Sequence, residues 1–393
     1  MKKVKIVIGA NFGDEGKGLM TDYFCSQFPS HEKVLNVRFN GGAQAGHTVV
    51  TPDGRRHVFG HFGAGSFLPN VATYFGPDYI LNAILFRREY EELRSLGVYP
   101  MVYVHPKCIF TMPQDMMMNQ FLEKRRGDGR HGSCGVGIYE TLLRNENCHV
   151  CTVDDILSHS RANVIDIEYY NFERLEKAIG FGLTNGEKAL MNNQNIRARF
   201  NQDVQFMMDH ISIVDEQIFD RFDNVVFEGA QGLMLDQNNT EYFPHLTPSN
   251  TGCQNVLPYL ESNMDIDVCY VTRPYLTRHG AGRLDNECTR EELGVKPDLT
   301  NHSNEWQGDL RYGHMDYVAL IDRIADDWKK TYPYTQMSIA ITHADESDEL
   351  TKEMFTYLNQ RKIAVGYMSY GPKRSDVKVL TQNEDEVINN GNT

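Results

Sequence analysis

Gly9-Ala10-Asn11-Phe12-Gly13-Asp14-Glu15-Gly16-Lys17-Gly18 follows directly on the apolar run Val4-Lys5-Ile6-Val7-Ile8. A buried strand that feeds a glycine-rich turn, a lysine and then a helix is how α/β proteins hold phosphate. The glycines let backbone N–H groups approach an anion, the helix N-terminus favours negative charge, and the lysine adds a point charge. This turn departs from the common P-loop twice. Six residues separate Gly9 from Gly16, more than in the common pattern, and Gly18 stands where a Ser or Thr would hold Mg²⁺. Asp14 sits in the middle of the turn, where a phosphate would repel it. A carboxylate there fits if it binds the metal or takes a proton.

Working outward, further β-branched runs read as buried strands: Val34–Arg38, Val225–Glu228, Val268–Thr272, Ser338–Thr342 and Ile363–Met368. Helical periodicity lies between them, most clearly over Met315–Lys330, where Val318, Ile321, Ile324, Ala325 and Trp328 form one stripe. Strands alternating with helices imply an α/β fold with an open, mostly parallel sheet covered on both faces. Residues 1–393 read as one elaborated domain. Residues 112–154, rich in charge and glycine, read as a lid or partner-facing loop region, and 383–393 as a frayed tail.

Ligands of such sheets collect at the carboxyl ends of the strands. That rule gathers the turn with Asn40–Thr48, Phe227–Gly232, Thr277–Gly282, Thr342–Asp345 and Ser369–Arg374. Taken singly these residues have plain structural readings: Asp14 as a helix N-cap, His47 as a structural histidine, Gln231 as a turn brace. Their co-occurrence favours function.

Composition sets bounds. The chain has 393 residues, 41% apolar and 23% charged, with a net charge of −14. That balance speaks against broad nucleic-acid binding, which needs a basic face, but one local basic pocket suffices for a nucleotide. No 18-residue apolar run marks a membrane span, and Met1-Lys2-Lys3 leads into a strand too short for a signal peptide. Eight cysteines without a small secreted framework read as reduced thiols of a cytoplasmic protein, or of a host cytoplasm for a viral one. Cys148-His149-Val150-Cys151 lacks a second pair at zinc spacing and reads as packing.

The ordered clusters resemble the adenylosuccinate synthetase family from Val7 to Arg374. G-D-E-G-K-G stands at 13–18, A-G-H-T at 45–48, F-E-G-A-Q-G at 227–232, T-R-x-G-A-G at 277–282 and S-x-G-P-x-R at 369–374, and Tyr242–Asn250 is similar to another family segment. The resemblance implies a P-loop-NTPase-related fold and a homodimer. It also implies a two-step ligase reaction: a triphosphate phosphorylates the 6-oxygen of a purine nucleotide, then L-aspartate displaces that phosphate. In the family the nucleotide is IMP and the donor GTP with Mg²⁺.

Carried over residue by residue, Asp14 is the base for purine N1–H and His47 the acid or electrostatic stabiliser, with Lys17 on phosphate. Mg²⁺ sits on Asp14 and the Gly46 carbonyl. The nucleotide substrate meets Gln44, Ser133, Cys134, Gln231 and Thr247, with Arg144 reaching across the dimer to the 5′-phosphate. The triphosphate meets Glu15, Gly16, Lys17, Gly18, Thr48, His343, Asp345, Ser369 and Gly371. Aspartate meets His279, Gly280 and Arg311.

Three departures stand out. His343-Ala344-Asp345 replaces the family's Lys-x-Asp at the guanine site. The aspartate loop is trimmed to Asn304–Gly313, leaving Arg311 to pair a carboxylate. The C-terminal third is short. These features resemble the archaeal and viral side of the superfamily, one branch of which joins aspartate to dGMP with GTP, ATP or dATP as donor. Retention of Asp14 leans towards IMP. A non-catalytic nucleotide sensor and a simple P-loop NTPase are the competing classes, opposed respectively by the intact Asp14, Lys17 and His47 and by the missing Ser/Thr.

Overall fold

The computed structural model describes every residue except 148–150, 159–175, 178–179, 181, 299–300, 302–305 and 381–393. Cys148, His149 and Val150, Asn304 and Glu305 of the trimmed loop, and the tail from 383 therefore lie outside the described residues. Ten strands form the main sheet. In chain order they are β1 Lys3–Gly9, β2 Val34–Arg38, β3 Val71–Phe75, β4 Met101–Val104, β5 Ser212–Ile213, β6 Asn224–Glu228, β7 Asp265–Thr272, β8 Gln336–Ile341, β9 Val365–Ser369 and β10 Val377–Val379. Their spatial order is β10-β9-β8-β7-β1-β6-β2-β3-β4-β5. All neighbours pair in parallel except β9 and β10.

Burial on both faces explains the unbroken apolar run of β1. Ile6 and Ile8 join one core with Leu35, Val37, Phe227 and Tyr270, while Val7 joins the opposite core with Met20, Phe24, Val226 and Val271. The sequence runs all became strands, but four further strands joined them. Val71-Ala72-Thr73-Tyr74-Phe75 is fully buried, yet mixes small, polar and aromatic residues, so its apolar signal is weak. β4, β5 and β10 are short, and β10 is an antiparallel edge.

Two expectations need correcting. Residues 112–154 are not a loop region: Pro113–Arg126 and Ile138–Asn147 are helices (α3 and α4, after α1 Lys17–Ser26 and α2 Ala83–Ser95). Met118 and Leu122 of α3 join a third core with Phe62, Phe86 and Met207, and α4 packs against α3. The helix at Tyr317–Trp328 (α6, after α5 Gln194–Asp209) buries Leu320, Ile324 and Asp327, whereas Val318 is exposed. Asp316 caps it by accepting from the N–H groups of Val318 and Ala319, which turns Val318 outward in the first turn.

The sheet places its polar loops together. β6, β1, β7 and β8 are consecutive neighbours, so Gly229–Gln231, the glycine turn, Arg273 and Thr342-His343 all emerge at one edge. The order reverses about β1, the switch point where open α/β sheets bind ligands.

Asp327 ties α6 to the loop before β7. Its carboxylate accepts from Cys253 N–H at 3.1 Å, Tyr270 O–H at 3.0 Å and Lys330 Nζ at 3.1 Å, and it is buried. Asp327→Ala orphans those donors and is expected to cost about 3 kcal/mol. Denaturant unfolding checks this, and a loss below about 1 kcal/mol would contradict it.

Candidate active site

The glycine turn is built around a buried carboxylate. Glu15 Oε1 accepts from the backbone N–H of Asn11 at 3.0 Å and of Gly13 at 2.8 Å, and Oε2 accepts from Lys17 Nζ at 3.0 Å. Glu15 and Lys17 are both buried. The side chain of Glu15 thus fills the nest of N–H groups formed by Asn11 and Gly13, while the phosphate contact expected of Glu15 is one of its backbone N–H, and Lys17 is ion-paired rather than free. Gly9 is required by this pair: a Cβ there would stand 2.5 Å from Glu15 Oε2, 2.7 Å from the Gln231 carbonyl and 2.8 Å from Lys17 Nζ. Gly16 adopts a left-handed conformation as it opens α1.

Distant side chains pin the turn's carbonyls. Arg273 Nε donates to Asp14 O at 2.7 Å, Thr342 Oγ1 to Glu15 O at 2.6 Å and Arg323 Nε to Ala10 O at 2.8 Å. Arg273 is itself held by Asp298 at 2.9 Å. Asp14 is consequently fixed with φ +62°, a left-handed conformation uncommon for a non-glycine residue. It is no N-cap, since Gly16 holds that position without a side-chain cap. Burial raises the proton affinity of Asp14, against the opposing charges of His279, Arg273 and Lys17. His279 Nε2 lies 3.9 Å from Asp14 Oδ2.

His47 opens a strand behind α1 and its Nδ1 hydrogen-bonds Glu228 Oε1 at the end of β6. Burial lowers the His47 pKa to about 4 despite that carboxylate. Glu228 is held below the usual carboxylate range: burial alone would raise it, but Arg38 and His47 prevail. Glu228 Oε2 accepts from Ala64 N–H at 2.9 Å and Oε1 lies 3.9 Å from Arg38 Nη1. The pair fixes the tautomer, leaving Nε2 as the free nitrogen. Glu228 and Arg38 had no assigned role in the sequence. The F-E-G motif contained the glutamate, but its partnership with His47 spans 181 residues.

Among the residues expected to meet the nucleotide, Gln44 has both amide atoms buried without a protein partner. Gln231 takes φ +63° beside the turn. Thr247 is buried, and its N–H donates to Leu235 O at 3.0 Å. Ser133 Oγ donates to Asn119 Oδ1 at 2.9 Å. Burial pushes the Cys134 thiol up to about 11. Arg144 was expected to reach across a dimer. It is fully buried on α4, with Nε 3.0 Å from Asp115 Oδ1 and Nη2 2.6 Å from Phe110 O. Asp115 also caps α3, so this guanidinium is committed within its own chain instead of projecting to a partner.

At the other end, the carbonyl of Ser369 accepts from Ala344 N–H at 3.0 Å, bringing Asp345 beside Ser369-Tyr370-Gly371. Ser369 Oγ is engaged by the Gly371 carbonyl at 2.6 Å. His343, at φ +56°, is kept neutral by burial and by Arg273, with Nδ1 2.9 Å from Thr342 Oγ1. Lys296 Nζ reaches Asp345 O at 2.5 Å. Thr48 sits opposite Val58 on a two-stranded hairpin. Arg311, expected to seize a free carboxylate, already pairs Glu287, with Nε at 2.8 Å from Oε1. Its Nη1 donates to Gly280 O at 3.2 Å and Gly282 O at 2.7 Å, so it shapes the His279–Gly282 loop.

For a divalent cation, Asp14 has no ion pair closer than the His279 contact among the described residues, and Gly46 is exposed. Carboxylate and carbonyl oxygens suit Mg²⁺. No group of three or more acidic, His or Cys ligands occurs among the described residues.

A family model described as adenylosuccinate synthetase matches residues 6–377. The adenylosuccinate synthetase of Bacteroides thetaiotaomicron is 29% identical over 81% of this chain and 74% of its own. The fully ligated adenylosuccinate synthetase of Plasmodium falciparum superposes with a TM-score of 0.69 at 18% identity, covering 96% of this chain and 100% of that one. The succinoaminodeoxyadenylate synthetase of cyanophage S-2L, bound to dGMP and dATP, gives 0.65 at 17% identity, covering 99% and 98%. The two superpositions establish the fold.

Gly9→Ala is expected to displace the Glu15–Lys17 pair or the Gln231 carbonyl, lowering kcat at least about 100-fold through misplacement of Asp14 and Lys17. Steady-state kinetics with circular dichroism to verify folding check it; a near-wild-type rate would show that the turn does not need this close approach.

Proposed function

Because the chain belongs to the adenylosuccinate synthetase family, whose members are ligases forming a carbon–nitrogen bond, we propose that it joins L-aspartate to the 6-position of a purine nucleotide. The proposed reaction is IMP + L-aspartate + GTP giving adenylosuccinate + GDP + phosphate. The observation that carries this reading is Asp14, a carboxyl with raised proton affinity held in a left-handed conformation on a phosphate turn.

In the first step Asp14 removes the proton from purine N1, and O6 becomes nucleophilic enough to attack the γ-phosphorus. Lys17 faces the phosphates with its charge already balanced by Glu15, so it orients more than it attracts. His47 starts neutral, with Nδ1–H on Glu228. A proton taken from solvent at Nε2 as phosphate charge arrives is stabilised by the Glu228 carboxylate, after which Nε2 donates a hydrogen bond to the charge developing on the phosphoryl group. In the second step the aspartate amine attacks C6 and phosphate leaves. Mg²⁺, when bound by Asp14 and the Gly46 carbonyl, neutralises phosphoryl oxygen charge. The same reading takes the chain as one catalytic unit, a homodimer of the cytoplasm or of an infected host, with the trans role no longer resting on Arg144. No helix among the described residues is long and apolar enough to cross a membrane.

A second reading is favoured by His343. A neutral ring at that position provides no permanent cation beside a donor guanine, which suits ATP or dATP as donor, and the cyanophage enzyme of the same fold, bound to dGMP and dATP, supports dGMP as the matching substrate.

A matrix of IMP, GMP and dGMP against GTP, ATP and dATP, with mass detection of the succinyl product, tests both. Product from IMP with GTP supports the first reading, and product from dGMP alone replaces it with the second. Phosphate release without aspartate contradicts both. Asp14→Ala is expected to cut turnover about 10²–10⁴-fold whichever purine is used; unchanged turnover would remove Asp14 from the mechanism.

The pH profile is a separate check. Asp14 works as the anion, and its pKa is raised above 3.8, so kcat/KM should fall as pH drops through that elevated value. His47, neutral above about 4, adds no inflection of its own in the free enzyme near neutrality. An acid limb confined to the ordinary carboxylate range would contradict the assignment.

A further inference from the structure

Glu140 is a buried acid on α4 that the mechanism above does not use. Its Oε1 accepts from Asn119 Nδ2 at 3.0 Å, and Asn119 Oδ1 in turn accepts from the Ser133 hydroxyl at 2.9 Å. Its Oε2 is buried with no partner. Asn119 is buried as well, whereas Ser133 is half-exposed at the end of the chain of bonds. The direction of these bonds is forced. An ionised carboxylate only accepts, so Asn119 must turn its amide nitrogen towards Glu140 and its oxygen towards Ser133. Ser133 then gives its single proton to Asn119 and offers a ligand only lone pairs. A nucleotide phosphate also offers only lone pairs, so the two repel.

We propose that Glu140, acting through Asn119, sets the hydrogen-bond polarity that Ser133 presents to the nucleotide phosphate, so that nucleotide binding is coupled to proton uptake at Glu140. This rests on the reading above that Ser133 meets the nucleotide substrate, and takes the phosphate as the part of the nucleotide it meets. The proton comes from solvent and forms an O–H bond on Glu140. The Asn119 amide turns over, accepting from that O–H through Oδ1 and donating through Nδ2 to Ser133 Oγ. The Ser133 O–H is released to donate to phosphate. No covalent bond other than the O–H changes. Burial of an acid with an unpartnered oxygen favours the neutral form. Burial raises the pKa of Glu140 to about 7, with the Asn119 hydrogen bond opposing. Its own backbone N–H also lowers it, and the other side chains acting on it are Asp115, which raises it, and Arg126, which lowers it, both from α3. Cys134 faces it from the connecting segment as a neutral thiol, and Asp115 is paired with Arg144. Glu140 and Asn119 are positioning residues in this account, since neither meets the substrate.

Calorimetric titration with IMP, and with dGMP in parallel, between pH 6 and 8 tests the proposal. Affinity of the wild-type chain should fall about tenfold more over that range than affinity of Glu140→Gln, because a neutral amide mimics the protonated acid and titrates no proton. The nucleotide's own phosphate ionisation is common to both and cancels. Titrations in buffers of different ionisation enthalpy should show extra proton uptake in the wild type alone. Asn119→Ala, which cuts the link without touching the acid, should remove the same pH-dependent component. Parallel pH curves for wild type and Glu140→Gln, or an unchanged component in Asn119→Ala, overturn the relay. If Ser133→Ala nevertheless weakens binding at pH 6, the site reading stands while the relay falls; if Ser133→Ala changes nothing, both fall.

Discussion

A carboxylate buried among backbone N–H groups is the interaction on which the site depends. Glu15 receives Asn11 N–H, Gly13 N–H and the Lys17 ammonium, and each is a group that a phosphate turn would otherwise leave unsatisfied. Burying a charge is costly unless it is paired and hydrogen-bonded, and here every oxygen is met. The turn is therefore formed before any ligand arrives. Its price is written into the sequence at Gly9, where no side chain fits behind the pair. It also lets Asp14 occupy a left-handed conformation, with the neighbouring carbonyls held by Arg273, Arg323 and Thr342.

Charge balance then decides how the reactive groups present themselves. Lys17 is neutralised by its neighbour, His47 is kept neutral by burial, and His343 likewise. The free site holds little mobile positive charge, and its anions at Asp14 and Glu228 each have an assigned task. Phosphoryl transfer in such a site relies on preorganised donors more than on net attraction. The arginines serve this preorganisation. Arg38, Arg144, Arg273 and Arg278 are all buried, and the contacts of Arg273, Arg278 and Arg144 include main-chain carbonyls. Sequence reasoning treats arginine near a nucleotide motif as a phosphate ligand. In this chain Arg144 and Arg273 hold acids and main-chain carbonyls of the fold itself.

What could be read in the chain divides by range. The central strands were legible because both faces of β1, β2, β6 and β7 are buried, which leaves an apolar run with no alternation. Val71–Phe75 escaped because burial there is achieved with Ala, Thr and Tyr. Residues 112–154 misled because charge and glycine suggest a loop, whereas Glu123 and Asp115 are buried acids satisfied inside a helical unit, and Glu140 is a third, bonded there through one oxygen only. Residue types do not reveal whether a charge faces water or a partner.

The sequence by itself determined the turn, the order of the polar clusters and the family they resemble, because backbone conformation at glycine and the strand–turn–helix pattern are local properties. It also identified Asp14, His47 and Gln44 as candidates, and the structure leaves the first at the turn, the second on Glu228 and the third with an unpartnered amide. Only the tertiary structure decided which charges are free. Glu15 on Lys17 is nearly local, but Glu228 on His47, Arg273 on the turn and Arg311 on Glu287 join segments that the sheet order brings together. Pairing energies depend on distance and burial, and neither exists until the strands are assembled.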